Sequence, residues 1–165
     1  MIDHAFDGQI PRRLVLTMVK SDAYNGDLKL NPYEFQHNRL NYLAAHINGI
    51  QYPSIPYTPD FDNNIFTKEF LSIFETLNIM TTDCYLNFNR GDFKSGCAMF
   101  GFNFASDSCD DYLKSGYIDP KKEGTMGFHL KFKSAPTSSM VLVIYAEFDN
   151  FVEIDINRQV TTDYH

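Results

Sequence analysis

The residues able to carry chemistry are scattered along the chain. Histidines stand at His4, His37, His46, His129 and His165. No two share the HxH or HxxxH spacing that builds a metal centre. His129 lies in an alternating strand pattern, where a hydrogen-bonded structural histidine is a simpler reading than a ligand or a base. The cysteines Cys84, Cys97 and Cys109 are odd in number and form no CxxC, which excludes a closed disulfide framework and gives no zinc or redox motif. Cys97, between strand glycines, reads as a small buried hydrophobe. The GxSxG elbow, the P-loop and GxGxxG are absent. Asp107, Asp110 and Asp111 offer oxygens to a hard cation but lack the DxDxDG spacing, and so read as a solvated loop. Glu147, Asp149, Glu153 and Asp155 alternate along the C-terminal strands, which puts each pair on one face. A glycosidase acid pair has that look; a polar outer sheet face has it too, and is the reading adopted. Arg90-Gly91-Asp92 spells the tripeptide that integrins recognise, a candidate receptor contact, and the Asn89–Asp92 run is also a competent hairpin turn. No catalytic, cofactor-binding or metal-binding residue is expected, and no cofactor.

The elements that must position these residues are legible in the hydrophobic pattern. Residues 12–20, RRLVLTMVK, alternate Leu14, Leu16 and Met18 with Arg13, Val15 and Thr17 in the period of a strand, and Pro11 suits its start. Asp22, Asn25-Gly26 and Asn31-Pro32 mark a loop. Residues 39–47 form a strand ending at Asn48-Gly49, a pair made for a tight I′ turn because both central residues need positive φ. Its hairpin partner is 50–52. Pro53, Pro56 and Pro59 exclude a helix and favour an extended edge segment. Phe66, Phe70, Leu71, Ile73, Phe74 and Leu77 recur as a helical stripe, with Lys68, Glu69 and Glu75 on the opposite face. One short helix is expected over about 66–78, capped by Asn63 or Asn64. Strands resume at 83–88, 96–104, 126–133, 140–148 and 151–160, with NRGD as the turn between the first two and an acidic loop over 107–123. Gly96 and Gly101 inside a strand mark a bulge or a close backbone approach. The apolar run 140–148 reads as a central strand buried on both faces. About seven or eight strands with one inserted helix predict an all-β sandwich, and strands that never alternate with helices exclude a doubly wound sheet.

Composition agrees. The 165 residues suffice for one ordinary core, and 15 Phe with 10 Tyr and no Trp suit half-buried strands. The net charge of −7 argues against a phosphate-backbone binder, so no direct nucleic-acid contact is expected. No apolar run nears the roughly 20 residues of a membrane span, and the first residues do not read as a signal peptide. Odd, irregular cysteines and the lack of Asn-x-Ser/Thr fit a reducing compartment.

Whole segments carry more than these isolated residues. GQIPRRLVLTMVKSDAYNG, NPYEFQHNRLNYLAAHINGIQYPSIPYTPDF and VLVIYAEFDNFVEIDINRQV resemble the C-terminal part of the major capsid proteins of Polinton (Maverick) elements and the related adintoviruses. Pro11 before a basic strand start, Tyr24-Asn25-Gly26, Asn31-Pro32, Leu40-Asn41-Tyr42, Asn48-Gly49, the spaced prolines and the helix TKEFLSIFETL match in order. The resemblance covers nearly the entire chain. It implies an eight-stranded jelly roll over residues 11–165 with residues 1–10 as a lead-in segment. It further implies a structural role without enzymatic activity: the second half of a double jelly roll, in which three chains build a pseudo-hexameric capsomer. The partners implied are two further copies, as a homotrimer, and a first jelly-roll domain or chain. The location implied is the virion, preceded by the interior of the host cell. The family has no fixed RGD at Arg90, Gly91 and Asp92, so the resemblance carries no receptor role. The alternative is a jelly roll recruited to bind carbohydrate or a cell-surface receptor, with Tyr52, Tyr57, Tyr112 and Tyr117 as stacking surfaces.

Overall fold

The computed structural model describes residues 1–80, 86–105, 122–150 and 152–162. Among these the chain forms the strands β1 (Ile2–Gln9), β2 (Arg13–Lys20), β3 (Leu40–Ile47), β4 (Ile50–Tyr57), β5 (Met99–Asn103), β6 (Glu123–Phe132), β7 (Met140–Glu147), β8 (Val152–Ile154) and β9 (Val160–Thr162). Three short helices interrupt them: α1 (Ser21–Tyr24), α2 (Thr67–Thr76) and α3 (Arg90–Ser95). One sheet runs β1-β6-β3-β4, a second runs β5-β2-β7, and β8-β9 form a ribbon of their own. All pairings between these strands are antiparallel.

The two sheets pack face to face, because each strand turns one row of apolar side chains inward. Leu14, Leu16 and Met18 of β2 meet Phe100 and Phe102 of β5, and from the other sheet Leu43 and Ala45 of β3 and Met126 and Phe128 of β6. Each large side chain buried in this way contributes about 1.5–3 kcal/mol of transfer free energy. The all-β sandwich expected from the pattern is therefore present. The Asn48-Gly49 turn is present too: both residues have positive φ (50° and 82°), and Ile47 pairs with Ile50 across it. The partner strand continues beyond residue 52 to Tyr57, through Pro53 and Pro56, as an edge strand of its sheet.

The helix expected over 66–78 spans Thr67–Thr76 and lies on β5. Gly101 is what lets it approach, since a Cβ there would stand 2.5 Å from the Ser72 carbonyl oxygen and 2.3 Å from the Thr76 hydroxyl. The strand glycine thus marks a close approach of backbone.

Other expectations are corrected. Neither Asn63 nor Asn64 caps α2; Phe66 occupies that position, and Asn63 instead donates through its backbone N–H (3.1 Å) and side chain (2.7 Å) to Asp60. Glu69, assigned to the solvent face, is only 4% exposed, because α2 is clasped between β5 and the segment after β4 and so buries more than one stripe. Asn89–Asp92 opens helix α3 and is not a hairpin turn. Of the strand expected over 83–88, residues 86–88 carry no strand, and 83–85 lie outside the described residues. Most of the acidic loop, with Asp107, Asp110 and Asp111, also lies outside them. The lead-in, residues 1–10, contains strand β1, paired with β6. The run expected over 151–160 is divided between β8 and β9, which turn back on each other. Finally, β7 is not central. Among the described residues it is an edge strand, with Leu142, Ile144 and Ala146 packed on the core, while Tyr145 is 68% exposed on the outer side. An uncharged run fills both rows of a strand with apolar side chains whether or not both faces are covered.

Candidate functional site

The Arg90-Gly91-Asp92 tripeptide has a local structural duty at every position. The Asn89 side chain accepts from the N–H groups of Gly91 (2.7 Å) and Asp92 (3.1 Å), and the Asp92 carboxylate accepts the Asn89 N–H at 2.9 Å. This reciprocal capping box satisfies donors that a helix start leaves open. Gly91 is small because a Cβ there would stand 2.9 Å from the Asn89 oxygen. The Arg90 guanidinium lies 4.7 Å from the centre of the Phe66 ring and donates to the Asn64 carbonyl. A receptor contact through Arg90 and Asp92 would have to release both from these partners.

The carboxylates of the C-terminal strands do not converge as an acid pair. Glu147 takes a bidentate pair of hydrogen bonds from Arg13, both 3.0 Å, and Asp149 pairs with Arg12 at 3.3 Å. Asp155 accepts the Gln159 N–H within the β8–β9 turn at 2.8 Å. His129 sits on the outer face of the four-stranded sheet in ring contact with Tyr42 and His46, at 5.2 and 6.2 Å, and not in a hydrogen bond. Desolvation, followed by the charge of Lys131, lowers its pKa. His37 stacks on Phe61 at 3.8 Å and accepts the Arg39 N–H through Nδ1 at 3.0 Å; burial lowers its pKa, which favours the neutral ring this acceptor role requires. Asp62 is held below the usual carboxylate range by its hydrogen bond from Lys133 (2.8 Å), in a shallow groove beside Arg39. Cys97 is a half-buried free thiol. Among the described residues no group of three or more His, Cys, Asp or Glu is placed to hold a metal ion.

The distinctive arrangement is at the two sides of the sandwich. One side, where β4 and β5 are the outer strands, is closed. The Tyr57 hydroxyl crosses from one sheet to donate to the Gly101 carbonyl of the other at 2.7 Å, and the Tyr52 hydroxyl does the same to Asn103. Helix α2 completes the closure, since Ser72 Oγ accepts the Gly101 N–H at 3.1 Å. Burial raises the pKa of both tyrosines, Tyr57 the more strongly, so both hydroxyls remain donors throughout the neutral range. These are two of the four tyrosines expected as stacking surfaces of a binding module. Tyr57 is buried; Tyr112 and Tyr117 lie outside the described residues.

The opposite side is bridged at one end, where Phe6 lies edge-on to Phe148 at 5.8 Å and Gln9 donates to the Asp149 carbonyl at 2.9 Å, and is open at the other. Here β1 and β7 are the outer strands, and the four-stranded sheet overhangs the three-stranded one. A groove of about 370 Å³ opens at the Leu142 end, where β6 runs on past the start of β1, lined by Ile2, Leu130 and Phe132 above and Met18, Met140 and Leu142 below. Among the described residues no strand lies on the far side of β7. Its ladder to β2 is in a register where Ser21 N–H donates to the Ser139 carbonyl at 3.0 Å. By the alternation of an antiparallel ladder, Leu142, Ile144 and Ala146 direct their backbone groups away from β2. Sequence reasoning missed this edge. The signal was the uncharged run Met140–Ala146, which lacks the proline, lysine or inward charge that usually blunts an edge.

Comparison with known proteins adds one relative. Over 161 residues, 96% of the chain, the sequence is 30% identical to an uncharacterized protein of Caenorhabditis elegans, F54H12.2; the chain spans 38% of that protein's length. No protein-family pattern matches the chain, and no solved structure matches it.

Proposed function

We propose that this chain is a structural assembly domain: the second jelly roll of a double jelly-roll major capsid protein of the Polinton and adintovirus kind, acting by self-association into trimeric capsomers. The observation that carries this reading is the strand order. An eight-stranded jelly roll, lettered B to I along the chain, arranges its sheets as B-I-D-G and C-H-E-F. If β1 to β7 are lettered C to I, the observed sheets read C-H-E-F and I-D-G. Seven positions then agree, and among the described residues no strand stands at B, beside β7. The share of the longer relative that the chain spans suits one of two jelly rolls in a larger protein. The function is mechanical, so what it requires is a rigid sandwich and adhesive surfaces, with the virion as the location. A carbohydrate-binding jelly roll is the weaker alternative, because Tyr52 and Tyr57 are spent in closing the sandwich.

Sedimentation velocity over a wide concentration range, with electron microscopy of the heaviest species, tests the reading. Trimers and larger regular clusters are expected. A chain that stays monomeric at every concentration and binds glycans on an array would overturn it.

A further inference from the structure

We infer that the outer face of the four-stranded sheet carries a metal site built from His46 of β3 and His129 of β6, which takes a late first-row divalent cation of the nickel, copper and zinc kind. The inference stands apart from the assembly reading.

The sheet itself brings the two histidines together. β3 and β6 run antiparallel, with Ala44 opposite His129 and Gly127 opposite His46. The histidines are therefore diagonal neighbours on one face, and each stands across the ladder from a residue too small to part them. Both residues are half-buried, lying on the sheet yet open to solvent. Their ring centres are 6.2 Å apart and the rings are inclined at 41°. Two imidazoles that share one metal, each nitrogen about 2.0–2.1 Å from it, hold their ring centres roughly 4.5–5.5 Å apart at right-angled to tetrahedral coordination. Roughly 1 Å of closure completes the chelate. Rotation about χ2 supplies it, because that torsion is broad for histidine.

The surroundings orient the pair without satisfying it. Tyr42 meets the His129 ring at 5.2 Å, and its hydroxyl donates to Gln51 Oε1 at 2.8 Å. Gln51 Nε2 in turn donates to the carbonyls of Pro53 and Ser54, at 3.3 and 3.1 Å. Tyr42 is thus a fixed wall for His129 and not itself a ligand. Among the described residues neither imidazole has a hydrogen-bond partner, so the ring nitrogens are available. Imidazole alone, without carboxylate or thiolate, suits nickel, copper and zinc and does not suit magnesium or calcium. Water fills the other coordination positions. Lys131 stands two residues from His129 on the same face, its ammonium 4.9 Å from the Tyr42 ring centre, and its charge opposes the bound cation.

The test is calorimetric titration of the untagged chain with Ni²⁺, which does not oxidise the free thiol of Cys97. One ion per chain is expected, with no response to Mg²⁺. His46→Ala and His129→Ala should each weaken binding by roughly tenfold or more, the least that disturbing even an outer partner of a metal ligand costs. His4→Ala and His37→Ala should leave it unchanged, and Lys131→Gln should tighten it. In the parent chain, paramagnetic broadening of amide signals by Ni²⁺ should centre on residues 44–46 and 127–131, a readout that needs no variant to fold. Binding undiminished in both His46→Ala and His129→Ala overturns the site. So does broadening centred elsewhere, or a parent chain that takes up no Ni²⁺ at neutral pH.

Discussion

Glu69 shows how much a single residue can depart from its pattern. Its neighbours Lys68 and Glu75 are where helical periodicity puts them, yet its own carboxylate is buried and accepts the Thr58 N–H at 3.0 Å. Burial raises its pKa above the ordinary 4.5. A carboxyl that holds its proton more tightly when folded makes the protein more stable as pH falls through the raised value, and less stable once it ionises above it. Replacing Glu69 by Gln keeps an acceptor for Thr58 and removes the charge. The variant should therefore melt higher than the parent at pH 7, and the advantage should shrink steadily toward pH 4.5 in thermal melts. An advantage independent of pH would mean that the carboxyl is not the cause. The burial of Glu69 was not legible in sequence, since it follows from the segment after β4 folding over α2. Gly101 was legible as a point of close approach, though not what approaches it. Its Cβ-less surface is occupied by Ser72 and Thr76, which ordinary helical spacing sets one turn apart.

At the scale of elements, helix α3 is the clearest lesson. Four residues read as a hairpin turn are a capping box, because the same short polar side chains that favour turns also favour helix starts. What decides between them is Phe93, which is fully buried and in ring contact with Phe61, Phe66, Phe70 and Phe100 at 5.8–6.3 Å. A helical turn brings Phe93 into that aromatic cluster, and only tertiary packing makes the choice visible. Replacing Asn89 by Ala should cost about 1 kcal/mol in denaturant unfolding, as the loss of a cap does. Replacing Phe93 by Ala should cost about 3–5 kcal/mol. Equal costs would mean that the cap and not the aromatic contact holds the element. The strands were more legible than the helices: β2, β3, β6 and β7 lie within a few residues of their expected bounds, because a period of two is read from the side chains alone. The position of β7 at an edge was not legible, since pairing partners are a property of topology.

For the whole molecule, stability is distributed unevenly. β2 is paired on both sides and lines the core, whereas β8 and β9 pair only with each other. In dilute solution, hydrogen exchange should be slowest at the buried stretch from Leu14 to Val19 and fastest in the ribbon. Uniform protection across the chain would contradict this gradient. The sandwich itself, its core rows and its Asn-Gly turn were legible in sequence; the tyrosine bridges from β4 to β5 were not, because they depend on which residues reach across between sheets. The two tyrosine hydroxyls that bridge β4 to β5 have a further consequence. They tie the two sheets together along one flank. Sliding one sheet past the other there would break both hydroxyl bridges at once, so a load placed on β4 is handed directly to β5.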